Sequence, residues 1–199
     1  MKLQTRVINI LTKPKEEWPV ISAEQTSVGA LYAGYIVPLA AIPAVCMFLG
    51  YSVFGAAIPF SRAFGFGPAY WLSQAIASYV LGLVGVYIGA FVIQKLAPTF
   101  QSEANFLQAL KLVAYGSTPM WIAGVFNLIP PLAILTILAS LYGIYLFYLG
   151  VTPMMKTPSD KVIPFMIVSA IVIIVVSIVV SLLTGALTGV FFARPRLGI

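Results

Sequence analysis

Residues 112–155 pass without a single Lys, Arg, Asp, Glu or His. As one straight helix this stretch would be about 66 Å long, against a hydrocarbon core of about 30 Å, so it must fold back on itself. In its middle stands "NLIPPL", Asn127 to Leu132. Pro130 and Pro131 bring no backbone donors, and Pro131 pushes Pro130 out of the helical region. Asn127 to Pro131 therefore predicts a tight interhelical turn at one membrane surface.

The remaining boundaries come from charge. Of 199 residues 61% are hydrophobic and 8% charged, where a soluble domain carries roughly 25% charged residues. Sixteen charged side chains cannot give a water-soluble surface to a chain of this size, so a single membrane bundle is expected. Its spans run roughly from Leu31 to Phe54, Tyr70 to Ile93, Leu112 to Leu128, Leu132 to Val151 and Val162 to Ala193. The last must tilt or project beyond the bilayer core. The predicted fold is all-α: a polytopic transmembrane bundle of five helices with short interfacial helices on the cytoplasmic side. Residues 1–26 form a cytoplasmic interfacial segment, 27–193 the transmembrane domain and 194–199 a short tail on the opposite side. With the N-terminus inside, eight basic residues fall on the cytoplasmic side and only Arg62, Arg194 and Arg196 on the other, the bias that sets orientation.

The net charge of +6 is scattered at the ends of apolar segments and forms no stripe, which argues for membrane flanks and against a nucleic-acid partner. The lone Cys46 lies in an apolar run and serves packing. Lys2 and Arg6 are followed by no continuous apolar stretch or small-residue cleavage site before Pro14, so no cleaved signal peptide is expected.

Two cytoplasmic segments carry helical apolar periodicity. In "QTRVINILTKPKEEWP" Val7, Ile10 and Leu11 recur at i, i+3 and i+4; in "SEANFLQALKLV" Phe106, Leu107, Leu110 and Val113 do the same. Both are expected to lie on the inner leaflet, with Arg6, Lys13, Lys15, Trp18, Lys95 and Lys111 as membrane-surface anchors. On the far side "FSRAFGFGPAYW" predicts an interfacial loop anchored by Tyr70 and Trp71.

The polar inventory limits the chemistry. The chain has no histidine, one cysteine, one aspartate (Asp160) and four glutamates, three of which (Glu16, Glu17, Glu24) precede the first span. A zinc site, a serine nucleophile with its base and a paired-aspartate protease each lack their residues. No catalytic residue, cofactor or metal is expected. The five span cores hold no Asp, Glu, Lys or Arg to mark an ion pathway. Pro38 and Pro43 in the first span and Pro119 in the third would leave carbonyls free, although prolines in membrane helices are most often simple kinks. Ser78, Gly82, Gly85 and Gly89 draw one smooth face on the second span, a surface for close helix packing or for another copy. Ser177, Ser181, Gly185 and Gly189 repeat the idea on the fifth, and Ser140, Gly143 and Gly150 on the fourth.

The order of several short motifs resembles the Yip (Ypt-interacting protein) family of five-span membrane proteins, and more closely its bacterial branch. They are "ILTKPKEEWPVIS" with Pro14 and Trp18, "YIVPL" around Pro38, "LKLVAYGSTPMW" with Tyr115, Gly116 and Pro119, the "IPP" hairpin, and "LYGIYLFYLGV" with Tyr142, Gly143 and Gly150. The resemblance implies a helical bundle with a cytoplasmic N-terminus. In eukaryotic relatives it also implies binding of prenylated Rab GTPases through a longer N-terminal region with an Asp-Leu-Tyr-Gly-Pro motif. This tail of about 26 residues lacks that motif, so the GTPase partner does not carry over.

The leading expectation is a non-enzymatic integral protein of a cytoplasmic membrane. It would recruit or organise membrane lipid, another copy or another membrane protein through its helix faces and cytoplasmic face. The rival is a small channel or carrier lined by the kinked first and third helices, with Pro38, Pro43, Tyr115, Gly116, Ser117, Thr118, Pro119, Gln74 and Asn127 along the path.

Overall fold

The structure is a computed structural model and describes residues 2–54 and 66–192. Among these residues every regular element is helical. Two short helices, α1 (Leu3–Thr12) and α2 (Pro14–Ala23), precede the membrane part. Pro14 opens α2, where its missing N–H is harmless. Helix α3 covers Val28–Phe54 and is capped by the Ser27 hydroxyl, which accepts from the Ala30 N–H at 3.1 Å. It contains one π turn, Tyr32–Ile36, just ahead of Pro38, whose ring and missing donor disturb the preceding turn. Helix α4 (Pro68–Leu96) follows and ends in a 3-10 turn, Ala97–Phe100.

The expected third span is in pieces. Helix α5 (Phe106–Gly116) stops at Ser117, α6 (Thr118–Ala123) restarts with Pro119 in its first turn, and a 3-10 turn, Gly124–Leu128, ends the segment. Pro119 thus begins a helix and kinks none. A second 3-10 turn, Pro130–Ile134, leads into α7 (Leu135–Met155), and α8 (Val162–Phe192) closes the order. The chain break expected at Pro130 falls at Ile129, the extended residue (φ −120°, ψ 97°), because a proline biases the residue before it away from the helix.

Among the described residues, four helical stretches are long and apolar enough to cross a membrane: Val28–Phe54, Pro68–Phe100, Pro130–Met155 and Val162–Gly189. These match the expected first, second, fourth and fifth spans. Leu112–Leu128 does not qualify, because its helix is interrupted twice. Arg62 with the first half of the expected far-side loop (60–65), Arg194, Arg196 and the tail lie outside the described residues.

The tightest contacts involve glycine. A Cβ on Gly50 of α3 would fall 2.1 Å from the Asn127 carbonyl oxygen, and one on Gly124 would fall 2.6 Å from Pro43 Cα. Backbone meets backbone at both places, so only glycine fits. Helix α3 also receives two hydroxyl bonds with α4: Tyr32 Oη donates to the Leu83 carbonyl at 2.9 Å and Tyr79 Oη to that of Val37 at 3.1 Å.

Candidate functional site

The segment expected to lie on the inner leaflet is docked on the end of the bundle. Three apolar residues of α1 and α2, Ile10, Trp18 and Ile21, are fully or almost fully buried. Trp18 packs edge-on against Tyr115 at 6.2 Å between ring centroids. It also lies over Gly150 of α7, where an added Cβ would sit 2.6 Å from the indole ring. Helix α5 is enclosed as well: every residue from Ala109 to Gly116 is buried. The periodicity of "QTRVINILTKPKEEWP" identified the correct apolar face, but that face meets protein.

Four charged groups accompany this docking. Arg6 is 4% exposed, Glu17 5% and Lys111 1%. The Arg6 guanidinium forks to the carboxylates of Glu17 and Glu24, and Asn9 Nδ2 donates to the second oxygen of Glu17 at 3.0 Å. These pairs fasten α1 to α2. A buried carboxylate is tolerated only when paired and hydrogen-bonded in this way. The guanidinium carbon also stands 5.8 Å from the centre of the Tyr115 ring, within cation–π range.

Lys111 joins that pair of helices to the bundle. Its ammonium donates to the carbonyls of Ile21 at 2.8 Å and Glu24 at 2.6 Å. One turn earlier on α5, Gln108 Nε2 donates to the Ser22 carbonyl at 3.1 Å, and Tyr142 Oη of α7 donates to the Leu11 carbonyl at 2.7 Å. The last carbonyls of a helix have no partner within it. Here the bundle supplies donors to the C-terminal ends of both α1 and α2, and the Lys111 charge complements the negative end of the α2 dipole. Burial pulls the Lys111 ammonium below the ordinary lysine pKa, with the Glu24 carboxylate acting in the opposite direction.

Arg6, Trp18 and Lys111 are therefore internal groups and not membrane-surface anchors: each has protein around it where the sequence alone suggested headgroups. Lys13, Lys15 and Lys95 are exposed. Reasoning from sequence passed over Glu17, Glu24, Asn9 and Tyr35 as site residues. The available signal was Arg6 followed by Glu16, Glu17 and Glu24 across a helix–Pro–helix pattern.

Beneath the charged cluster runs an aromatic layer. Tyr35 and Tyr115 stack obliquely with centroids 4.4 Å apart, and Tyr35 lies 6.5 Å from Trp121. The Tyr35 and Thr118 hydroxyls are hydrogen-bonded at 2.7 Å. One to three turns further along α3, a cavity of about 280 Å³ opens between α3, α4 and the 118–128 segment, lined among others by Pro43, Met47, Ser78, Gly82, Trp121 and Asn127. The path candidates thus divide. Pro43 and Asn127 meet at this cavity; Tyr115 belongs to the charged cluster, Gly116 packs on Phe147, Pro38 follows the π turn and Pro119 starts α6. Gln74 accepts from the Thr188 hydroxyl at 2.9 Å.

The small-residue face of α4 is also divided. Only at Gly85 would a Cβ meet a neighbour, Val180 at 3.2 Å and Val176 at 3.6 Å, both on α8; at Gly82 and Gly89 it would meet nothing within 4 Å. Ser78 donates to the Ala75 carbonyl of its own helix at 3.0 Å.

The Yip1 domain profile matches residues 8–182. The chain is also 25% identical over 170 residues to the protein "Inner membrane protein YohC" of Escherichia coli, in strain K12 and equally in strain O6:H1, covering 81% of this chain and 84% of that protein. No solved structure matches it. The match begins within α1 and ends within α8, taking in α2, Glu17, Glu24 and Lys111 of the charged cluster and the cavity, while Arg6 lies just ahead of it: the chain belongs to the Yip1 family of membrane proteins.

Proposed function

We propose that this Yip1-family protein is a non-enzymatic integral protein of a bacterial or archaeal cytoplasmic membrane that organises lipid and partner proteins by contact. The observation that carries this reading is the use of its buried charges. Arg6, Glu17 and Lys111 are engaged with one another's helices and with main-chain carbonyls, which gives the cytoplasmic end a fixed shape. Lys13, Lys15 and Lys95 stay exposed around it, suited to anionic headgroups at about 1 kcal/mol per basic residue near the surface. The inner-membrane name of the Escherichia coli relative supports the location.

In this reading the pieces of Leu112–Leu128 together make a fifth crossing, packed among its neighbours over Leu112–Gly116 and showing Met120, Val125 and Phe126 to lipid, which leaves the N-terminus inside and the C-terminus outside. With Cys46 replaced by serine, a cysteine at Thr5 is then protected from an impermeant reagent in intact cells and one at Leu197 reacts; the reverse pattern excludes the topology. Contact as the working principle is tested by crosslinking in membranes alongside flux measurements on purified protein in liposomes. Specific crosslinked partners with silent liposomes are expected, and reproducible solute flux excludes contact as the whole function. Conduction is the second reading, favoured by the convergence of Pro43 and Asn127 on one cavity.

A further inference from the structure

We infer that the cavity between α3, α4 and the 118–128 segment is a binding site for a small uncharged amphipathic molecule, such as an aromatic alcohol. The site stands apart from the contact function proposed above. Three features of its wall define the occupant. None of its lining residues is charged, and a charge at membrane depth without a counter-charge is strongly disfavoured, so ions are poor occupants. The wall is mainly apolar, with Trp121 and Met47 offering an aromatic face and a pliable thioether. It also carries the half-buried Asn127, whose amide has no hydrogen-bond partner among the described residues and is free to pair with an occupant. An alkyl chain of a bilayer lipid offers that amide no partner, whereas a hydroxyl on an aromatic body pairs with it and fills the rest. The volume of about 280 Å³ falls just under the range of drug-sized sites, about 300–1,000 Å³, which suits a single-ring molecule.

Gly82 supplies the means of testing this. A Cβ there meets no atom within 4 Å, so a larger side chain grows into the cavity without striking the backbone. The probe is trifluoromethyl-diazirinyl benzyl alcohol, photolysed with the full-length protein in nanodiscs, and the matching benzoate is its charged counterpart. Labelling by the alcohol should saturate, map to peptides holding Met47 or Trp121, fall when excess benzyl alcohol is added, and vanish in Gly82→Leu at an unchanged melting temperature. Asn127→Leu should weaken it by about three- to tenfold, the loss of one neutral hydrogen bond. The benzoate should label these peptides only weakly. If Gly82→Leu does not fold, Ala44→Leu fills the same space from α3. Unsaturable labelling spread over the lipid-facing helices, equal labelling by the benzoate, or full labelling in a folded filled variant overturns the assignment. None of these outcomes depends on crosslinked partners or liposome flux.

Discussion

The two ends of the chain are held in opposite ways. Helices α1 and α2 are ten residues each, yet they bury Ile10, Trp18 and Ile21 almost completely and bring the Arg6–Glu17 ion pair inside with them. Helix α8 is 31 residues long, and only 6% of its most apolar 18-residue window is buried. What it shows its neighbours is a thin line including Val162, Phe165, Ser169, Thr184 and Thr188, supplemented by Val176 and Val180 against Gly85. The solvent explains the difference. At the N-terminal end, leaving water drives apolar burial and makes every unpaired charge expensive. Inside the bilayer lipid is as apolar as the side chains, so α8 gains little by hiding from it and needs only local fit. Specificity in this molecule therefore lies at the wet end, although most of its mass is in the dry one.

Breaking the wet end should have the largest effect. Arg6→Ala leaves Glu17 buried without its cation, and loss of one partner of a buried pair costs about 3–5 kcal/mol. A large drop in melting temperature in detergent micelles checks this, together with proteolysis at the α1–α2 junction. The double variant Arg6→Met with Glu17→Leu should recover most of the loss, since an apolar replacement of a whole buried pair is close to neutral. Glu24 does not block the recovery, because its side chain is 36% exposed and can be hydrated. A double variant no more stable than Arg6→Ala would show that the pair is more than a balanced internal charge. Next comes Gly150→Leu, whose side chain would start 2.6 Å from the Trp18 ring and 2.7 Å from Leu112. Overpacking of this kind costs about 1–3 kcal/mol, occasionally more, and should shift Trp18 fluorescence to the red as the indole is expelled.

Lys111→Met tests the junction between the two regions at similar or smaller size. It keeps the length of the side chain but leaves the Ile21 and Glu24 carbonyls without their donor, about 1–3 kcal/mol for buried unpaired groups. Hydrogen exchange should rise in α1 and α2 and stay unchanged in α8. Equal protection in both would mean that Lys111 does not fasten the N-terminal helices.

How much of this was legible depends on which solvent wrote the signal. The dry spans were legible, because an uncharged run longer than a bilayer core has one interpretation, and four of them stand close to where the charges placed them. The third was not legible as broken: Ser117 resembles any small polar residue in a membrane helix, and Pro119 signals a kink and a helix start equally well. The wet end was half legible. The spacing of Val7, Ile10 and Leu11 fixed the apolar face of α1, but periodicity does not say whether that face meets lipid or protein. Trp18 and Lys111 at the margin of an apolar segment fit snorkelling and burial alike; Gly150, more than a hundred residues from Trp18, decides for burial there by making room for the indole, and the Ile21 and Glu24 carbonyls do so for Lys111. The glycines followed the same rule. Gly82, Gly85 and Gly89 share a helical spacing, but contact depends on the neighbour, and the closest approaches occur at Gly50, Gly124 and Gly150.

The smallest effect is expected in α8, where a null result is informative. Ser177 donates to the Ile173 carbonyl of its own helix at 2.8 Å and is exposed, so Ser177→Ala removes a back-bond that lipid does not need and exposes no new polar group. The carbonyl of Ile173 keeps its helix partner, and a surface change of this kind falls within about 0.5 kcal/mol. Melting temperature and hydrogen exchange should both be indistinguishable from the parent. A loss comparable to that of Lys111→Met would mean that this face of α8 is covered by something the isolated chain does not supply. The thin packing of α8 would then be one half of an interface with a second membrane helix, and the mutant would lose that helix in crosslinking.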